Sequence, residues 1–327
     1  MVTDKGGGEG TVSTTVAGRP LFYDTHVHLW NLDAPDLSYE WLQAGVEYPL
    51  LGRLDRIRAP LYDARAFRAE SRFAGVGGVI LVEAEAAGKD EDPVVETQWL
   101  AHEASLLGVP AGIVVHTALN APDVDAALER HCATGLARGV RDFTSPDKLM
   151  DAAFRRGYAR LARYGLVYDL DSVWDHLASA RNLAEAYPDV TLVVEHVAFP
   201  QERTDDYFRV WQRAMSDVAS APNAVCKISG LGMGDPDWTP ESLRPWVEHA
   251  ILSFGPERCF FGTNWPVDRM YSSYDALVAA YDALLSGCSS AERSALFFDN
   301  AARVYRTSPP HMMSSTAHAA RSQGAET

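Results

Sequence analysis

Two histidines one residue apart, His26 and His28 in the run LFYDTHVHL (21–29), are the first residues in the chain that could do chemistry together. The run is apolar and short, as a β-strand is, and side chains two apart on a strand share a face. Both imidazoles can then enter the coordination sphere of one metal. The spacing alone suits two structural histidines equally well. Further residues shift that balance. His196 follows the apolar run VTLVV, on the face of Leu192 and Val194 if the strand continues to it. Glu83 and Glu85 follow GGVILV, Arg141 ends ARGVR, and Asp169 with Asp171 end GLVYDLD. Lys227 shares a face with Ser229 in NAVCKISGL, His116 ends AGIVVH, and Asn264 follows RCFFGT.

These residues all follow short apolar runs, and between the runs lie stretches with apolar residues three and four apart. The unit recurs eight times. Strands alternating with amphipathic helices imply a parallel sheet, and eight such units imply an α/β fold closed into a (β/α)8 TIM barrel, whose active site lies at the carboxyl ends of the strands. A dinucleotide fold would open with G-x-G-x-x-G after the first strand, where this chain has HLWNLDAPDLSYEWL. Residues 31 to 69 are long for a loop and rich in Trp, Tyr, Leu and Pro, so they read as an insertion over the mouth. Of the aromatics near the site, Trp30 and Trp265 are taken as pocket candidates, with Tyr39, Trp41 and Tyr48 left as core. Ser289 and Glu292 form an S-x-x-E capping box for a terminal helix. Residues 1–20 are Gly-rich and polar, and 308–327 are Ser/Ala/His-rich after a Pro-Pro break. Both are expected to be flexible tails flanking one barrel domain over 21–307.

The chain has 327 residues and a net charge of −15. That charge argues against partners with phosphate backbones or anionic lipid surfaces. No apolar run reaches the roughly 18 residues of a membrane span. Four cysteines without C-x-x-C spacing read as reduced thiols, which suits a cytoplasmic protein. The expected partner is a small-molecule substrate, with neither nucleic acid nor membrane, and a homo-oligomer is left open. Arg141 and Lys227, inward cations in an acidic chain, favour a carboxylate-bearing substrate or a developing oxyanion.

Several motifs in order carry a resemblance: D-T-H-V-H-L-W (24–30), V-E (82–83), G-V-R (139–141), E-H-V (195–197), K-I-S-G-L-G-M (227–233), F-G-P-E-R-C-F-F-G-T-N-W-P-V-D-R (254–269) and A-A-R-V-Y-R (301–306). In these the chain resembles the amidohydrolase superfamily, in its amidohydrolase-2 branch of metal-dependent TIM-barrel hydrolases that includes lactonases. The resemblance implies that His26, His28 and His196 bind a divalent metal, zinc or manganese, or line a vacant metal site in a metal-independent reaction. It also implies a strand-eight aspartate as base on the hydrolytic water. Here that position is Asn264, and an amide cannot take a proton from water.

Three readings follow from this departure. Asn264 could bind the metal or polarise a substrate carbonyl while Glu83, Asp169, Asp142 or His116 serves as base, Glu83 being the first choice. The imidazoles could instead activate water on a strained ester without metal. The reaction could also be non-hydrolytic, a decarboxylation, elimination or ring rearrangement, with the cation as Lewis acid. A Ser229–His196 triad is set aside for want of a G-x-S-x-G elbow. The preferred expectation is a lactonase-like hydrolase of a small cyclic ester or related C–O or C–N bond. Arg141, Lys227, His116, Trp30 and Trp265 would contact substrate. The rivals are a lyase-type or cyclising enzyme on the same site and a catalytically silent ligand-binding barrel.

Overall fold

Runs rich in Val, Ile, Leu and Phe cannot leave both faces in water, and here they become the buried staves of a parallel sheet. In a computed structural model, which describes residues 15–16, 19–48, 51–143 and 145–307, eight strands pair in sequence order. They are β1 (Phe22–Val27), β2 (Val76–Val82), β3 (Ala111–His116), β4 (Ala137–Arg141), β5 (Val167–Leu170), β6 (Leu192–Val194), β7 (Ala224–Ile228) and β8 (Cys259–Phe261). The ring closes just beyond β8. Val27 bridges Trp265 in parallel, the His28 amide donates to the Trp265 carbonyl at 2.8 Å, and the Trp265 amide donates to His26 at 3.2 Å. This is the (β/α)8 TIM barrel that the eight-unit repeat predicts.

Helices cover the outside, among them α1 (Ala64–Ser71), α2 (Val94–Leu106) and α3 (Tyr274–Leu284), each following its strand. The Asp63 side chain caps α1 by accepting from the Ala66 amide at 2.8 Å, and Ser273 caps α3 in the same way. The Ser289–Glu292 capping box forms with both of its hydrogen bonds. Among the described residues no helix is long and apolar enough to cross a membrane. Cys132, Cys226, Cys259 and Cys288 are all free thiols.

Three expectations change in detail. The insertion after β1 ends before Ala64, because residues 64–71 are the first barrel helix. Its body is held by short antiparallel pairs: Trp30–Asn31 with Leu61–Tyr62, Glu47–Tyr48 with Gly52–Arg53, and Leu37–Ser38 with Ala87–Gly88 after β2. Within the leading segment, Thr15–Val16 pairs with Arg19–Pro20, whereas the expected tails over 1–14 and 308–327 lie outside the described residues. Finally, β6 stops at Val194, and Glu195–Val197 form a 3-10 turn in which His196, Val197, Ala198 and Phe199 all have positive φ.

One buried carboxylate ties the first strand to the last. Asp24 accepts from the Thr263 amide (2.8 Å), the Thr263 hydroxyl (2.6 Å), the Tyr274 hydroxyl (2.8 Å) and the His26 amide (3.3 Å). Burial pushes its carboxyl up to about 6 even though these donors hold it down. Removing the carboxylate would strand several buried donors, each costing about 1–3 kcal/mol. Asp24→Ala is therefore expected to lower the unfolding free energy by about 3 kcal/mol or more, measured by urea denaturation; a loss below about 1 kcal/mol would show that the seam does not depend on it.

Candidate active site

The floor of the site is a lattice of ions inside the barrel. Glu195 is wholly buried and reaches Lys227 Nζ at 3.0 Å, His26 Nδ1 at 3.2 Å and Arg141 at 3.5 Å. Lys227 also meets Asp169 at 2.5 Å, and the Tyr305 hydroxyl donates to the same Asp169 oxygen at 2.7 Å. Burial opposes ionisation of Glu195, but Lys227, His26 and Arg141 together hold its carboxyl well below the usual range. Arg141 is gripped by β2: its Nε donates to the Glu83 carboxylate at 2.5 Å and its second amino group to the Glu83 carbonyl at 2.8 Å.

Above this floor stand the histidines. His28 Nδ1 lies 3.1 and 3.0 Å from the carbonyl oxygens of Val82 and Glu83. A carbonyl only accepts, so Nδ1 carries the proton and Nε2 is a bare lone pair. That lone pair faces His26 Nε2 at 3.0 Å. His196 Nδ1 pairs with the Ser229 hydroxyl at 2.8 Å, and its ring lies 4.5 Å from that of His26. Burial drives all three basicities down, His28 to about 3, His196 to about 4 and His26 well below its usual value. They are neutral imidazoles near pH 7.

Neutral imidazoles in this arrangement cannot satisfy one another. If His26 Nε2–H donates to His28, its Nδ1 lone pair confronts the Glu195 carboxylate; if Nδ1 carries the proton, two Nε2 lone pairs collide. Among the described residues His26 Nδ1 accordingly has no hydrogen-bond partner, with the Glu195 carboxylate 3.2 Å away. A divalent cation would resolve the conflict, and nitrogen with carboxylate oxygen is a zinc-type donor set. His26, His196 and Glu195 each offer a ligand atom within 4.8 Å of the others. The residues therefore fit a metal. His28, the third expected ligand, stands beside this trio with its Nε2 3.0 Å from His26 Nε2, and Glu195 is a further carboxylate donor that the sequence does not single out.

A cavity of about 110 Å³ opens over these groups, lined by His28, Arg141, Asp171, His196 and Asn264, with Trp41, Tyr48, Phe143, Phe199 and Met233 as its aromatic and apolar wall. Asp171 has no hydrogen bond or ion pair to another described residue. Burial pushes its carboxyl up to about 6, with Glu195 and Glu83 adding to the shift and Arg141 opposing it. Glu85, exposed at the rim, is pushed up to about 7 by the surrounding protein and by Glu83 and Asp171. Asn264 is buried with φ 55°.

The structure thus gathers His26, His28, His196, Arg141 and Asn264 as the sequence predicts and moves the remaining candidates elsewhere. Glu83, first choice as base, is occupied: one oxygen holds Arg141 and the other accepts from the Glu85 amide at 2.8 Å. Asp169 lies one strand layer too deep, against Lys227 and Tyr305. Lys227 is fully buried between two carboxylates and does not reach the cavity, which corrects its expected contact with substrate. Asp142 accepts from the Leu119 amide and pairs with Lys148. His116 lines a neighbouring cavity, its Nδ1 bonded to the Arg141 carbonyl at 3.1 Å. Trp30 and Trp265 are core, bonded through their indole N–H to the Ala59 carbonyl and to Glu70, so Trp41 and Tyr48 form the wall in their stead.

Glu195 was missed as a site residue because strict alternation turns it away from His196. The 3-10 turn brings both inward. Asp171 was visible as one of two aspartates on a face, and its position at the very end of the run was the signal for access.

Comparison with known proteins agrees with this architecture. A family model described as "Amidohydrolase" matches residues 23–307. The chain is 37% identical over 295 residues to an uncharacterised protein of Sinorhizobium fredii, covering 86% of this chain and 97% of that one. It is 30% identical over 307 residues to an L-fucono-1,5-lactonase of Burkholderia multivorans, covering 89% and 97%. A solved amidohydrolase from Burkholderia multivorans with bound zinc has a TM-score of 0.73 at 28% identity, covering 88% of this chain and all of that chain. A 2,6-dihydroxybenzoate decarboxylase from Rhizobium shares the fold at a TM-score of 0.57 and 14% identity, covering 88% and 98%. With a family model spanning nearly the whole barrel and its motifs converging on one cavity, this chain belongs to the amidohydrolase-2 family.

Proposed function

We propose that this chain hydrolyses the ester bond of a small, uncharged cyclic ester, a sugar-type lactone. The observation that carries the reading is Asp171: a carboxyl with no ion pair among the described residues, in one cavity with two neutral imidazoles, Arg141 and Asn264. It can do the proton work that an amide at position 264 cannot. The lactonase named among the relatives supports the substrate class. An uncharged substrate is favoured over the carboxylate-bearing one because Arg141 already answers Glu83 and Glu195, while Asp171 and Glu85 add negative charge at the mouth.

In this reading Asp171 accepts a proton from water as its oxygen attacks the lactone carbonyl carbon. The negative charge developing on the carbonyl oxygen is met by Arg141, whose guanidinium is fixed by Glu83 before the reaction begins. Collapse of the tetrahedral intermediate breaks the ring C–O bond, and Asp171 returns the proton to the departing alkoxide. The product is an open-chain hydroxy acid. Asn264 offers its amide oxygen to the reacting water, and the aromatic wall excludes bulk solvent. A cation held by His26, His196 and Glu195 would supply Lewis-acid polarisation.

The decisive measurement is turnover of a sugar-lactone panel in ¹⁸O-labelled water, with one solvent oxygen expected in each product carboxylate. A product without solvent oxygen would assign lyase or isomerase chemistry instead, and no turnover across the panel would favour a silent barrel. Asp171→Asn is expected to lower kcat by about 10²–10⁴-fold without loss of folding.

The pH profile follows from the same group. Asp171 acts as base only when ionised, so kcat/KM should rise with pH through about 6 and then level off. That acidic limb should be missing from the residual activity of Asp171→Asn; a limb that persists would assign the base elsewhere. For the metal, dialysis against zinc followed by elemental analysis should give close to one bound ion in the parent protein. His26→Ala and His196→Ala should each bind far less, and equal zinc in folded variants would refute the ligand assignment.

A further inference from the structure

The buried acid that this mechanism leaves unused is Asp268, four residues beyond Asn264. It is 1% exposed, and among the described residues neither carboxyl oxygen meets a partner in hydrogen-bond geometry. Asn264 Nδ2 is likewise buried and unpartnered. The two residues belong to one turn, since the Asp268 amide donates to the Asn264 carbonyl at 3.1 Å. Burial pushes the Asp268 carboxyl well above its ordinary value, and the neighbouring Asn264 side chain opposes that shift. The neighbouring acid Asp24 is saturated by Thr263, Tyr274 and the His26 amide, so it does not compete for that amide. Asp268 is also given room to approach: a Cβ on Gly232 would stand 2.9 Å from its Oδ1.

We infer that Asp268 is a positioning residue that holds the Nδ2 end of Asn264 and thereby presents the Asn264 amide oxygen to the cavity. A carboxyl keeps an acceptor oxygen whether ionised or protonated, so the hold survives the upward shift that burial imposes on Asp268. Without it, an amide can rotate and present either end. With it, Asn264 acts only as an acceptor toward the cavity, the hydrogen-bonding character that an aspartate at 264 would have. The strand-eight carboxyl has in effect moved back by one turn while an acceptor oxygen remains at the site.

The kinetic arm of the test rests on the lactonase reading, and a spectroscopic arm does not. In ¹⁵N-labelled protein the side-chain NH₂ pair of Asn264, assigned by its disappearance in Asn264→Asp, should shift in Asp268→Ala and in Asp268→Asn. An unmoved pair would overturn the proposal whatever the substrate. On a turned-over lactone, Asp268→Ala, which removes the acceptor, should lower kcat about tenfold with KM little changed, and it should cost nothing further in an Asn264→Ala background, because residues acting through one another are non-additive. Independent, multiplying losses would make Asp268 a structural residue only. Asn264→Asp/Asp268→Asn, which returns the carboxyl to the cavity, should recover most of the loss. Failure of every lactone to react would refute the hydrolase reading and leave the NH₂ shift to decide the role of Asp268.

Discussion

A carboxylate taken wholly out of water costs several kcal/mol unless cations and donors meet it, and Glu195 is met by Lys227 and Arg141, with His26 Nδ1 3.2 Å away. These partners come from β7, β4 and β1, so one side chain fixes the relative positions of three strand ends. The dependence runs both ways. Lys227 is tolerable in the barrel only because Glu195 and Asp169 flank it, and Arg141 only because Glu83 and Glu195 do. Deleting any member would leave an uncompensated charge in the interior. The lattice therefore rigidifies the floor on which the imidazoles stand, whatever its net contribution to stability.

Much of this was legible in the sequence because period and polarity repeat. The eight apolar runs followed by polar residues give the barrel, and their ends give His26, His28, Arg141, Asp171 and Asn264 as neighbours. What could not be read was depth. Asp169 and Asp171 share a face, as alternation requires, but they occupy successive layers, and only the outer one meets the cavity. Lys227 fails for the same reason, since inward-facing is not the same as accessible. Trp30 and Trp265 sit next to chemically active positions in the chain yet point into core packed around Tyr62 and Tyr274, so adjacency in sequence does not mark a cavity wall. Trp41 and Tyr48 reach the cavity through the folding of the insertion, which carries no period to read.

Backbone that leaves regular geometry is the second feature that period cannot show, and it is concentrated at the site. His196 and Asn264 both have left-handed φ, and so does Glu85. Each follows a strand end, where alternation no longer governs direction. Non-glycine residues rarely adopt this conformation, and its clustering at a cavity is typical of groups held for function. At β6 the turn aims two consecutive side chains inward, which no strand can do, and this places Glu195 and His196 within reach of one ligand.

Charge then separates what the barrel can hold from what it can bind. The net charge of −15 first suggested that two inward cations mark an anionic substrate. Once Lys227 is assigned to Glu195 and Asp169, and Arg141 to Glu83 and Glu195, no uncompensated cation among the described residues faces the cavity. An incoming carboxylate would meet Asp171 and Glu85 before it met a free donor, whereas a hydroxylated neutral ring can use the same carboxylates as acceptors. Arg141 has no net charge left to attract an anion in the ground state, but its fixed N–H groups can still stabilise one that forms in place. That asymmetry between binding an anion and stabilising a developing one is what a hydrolase of neutral esters requires.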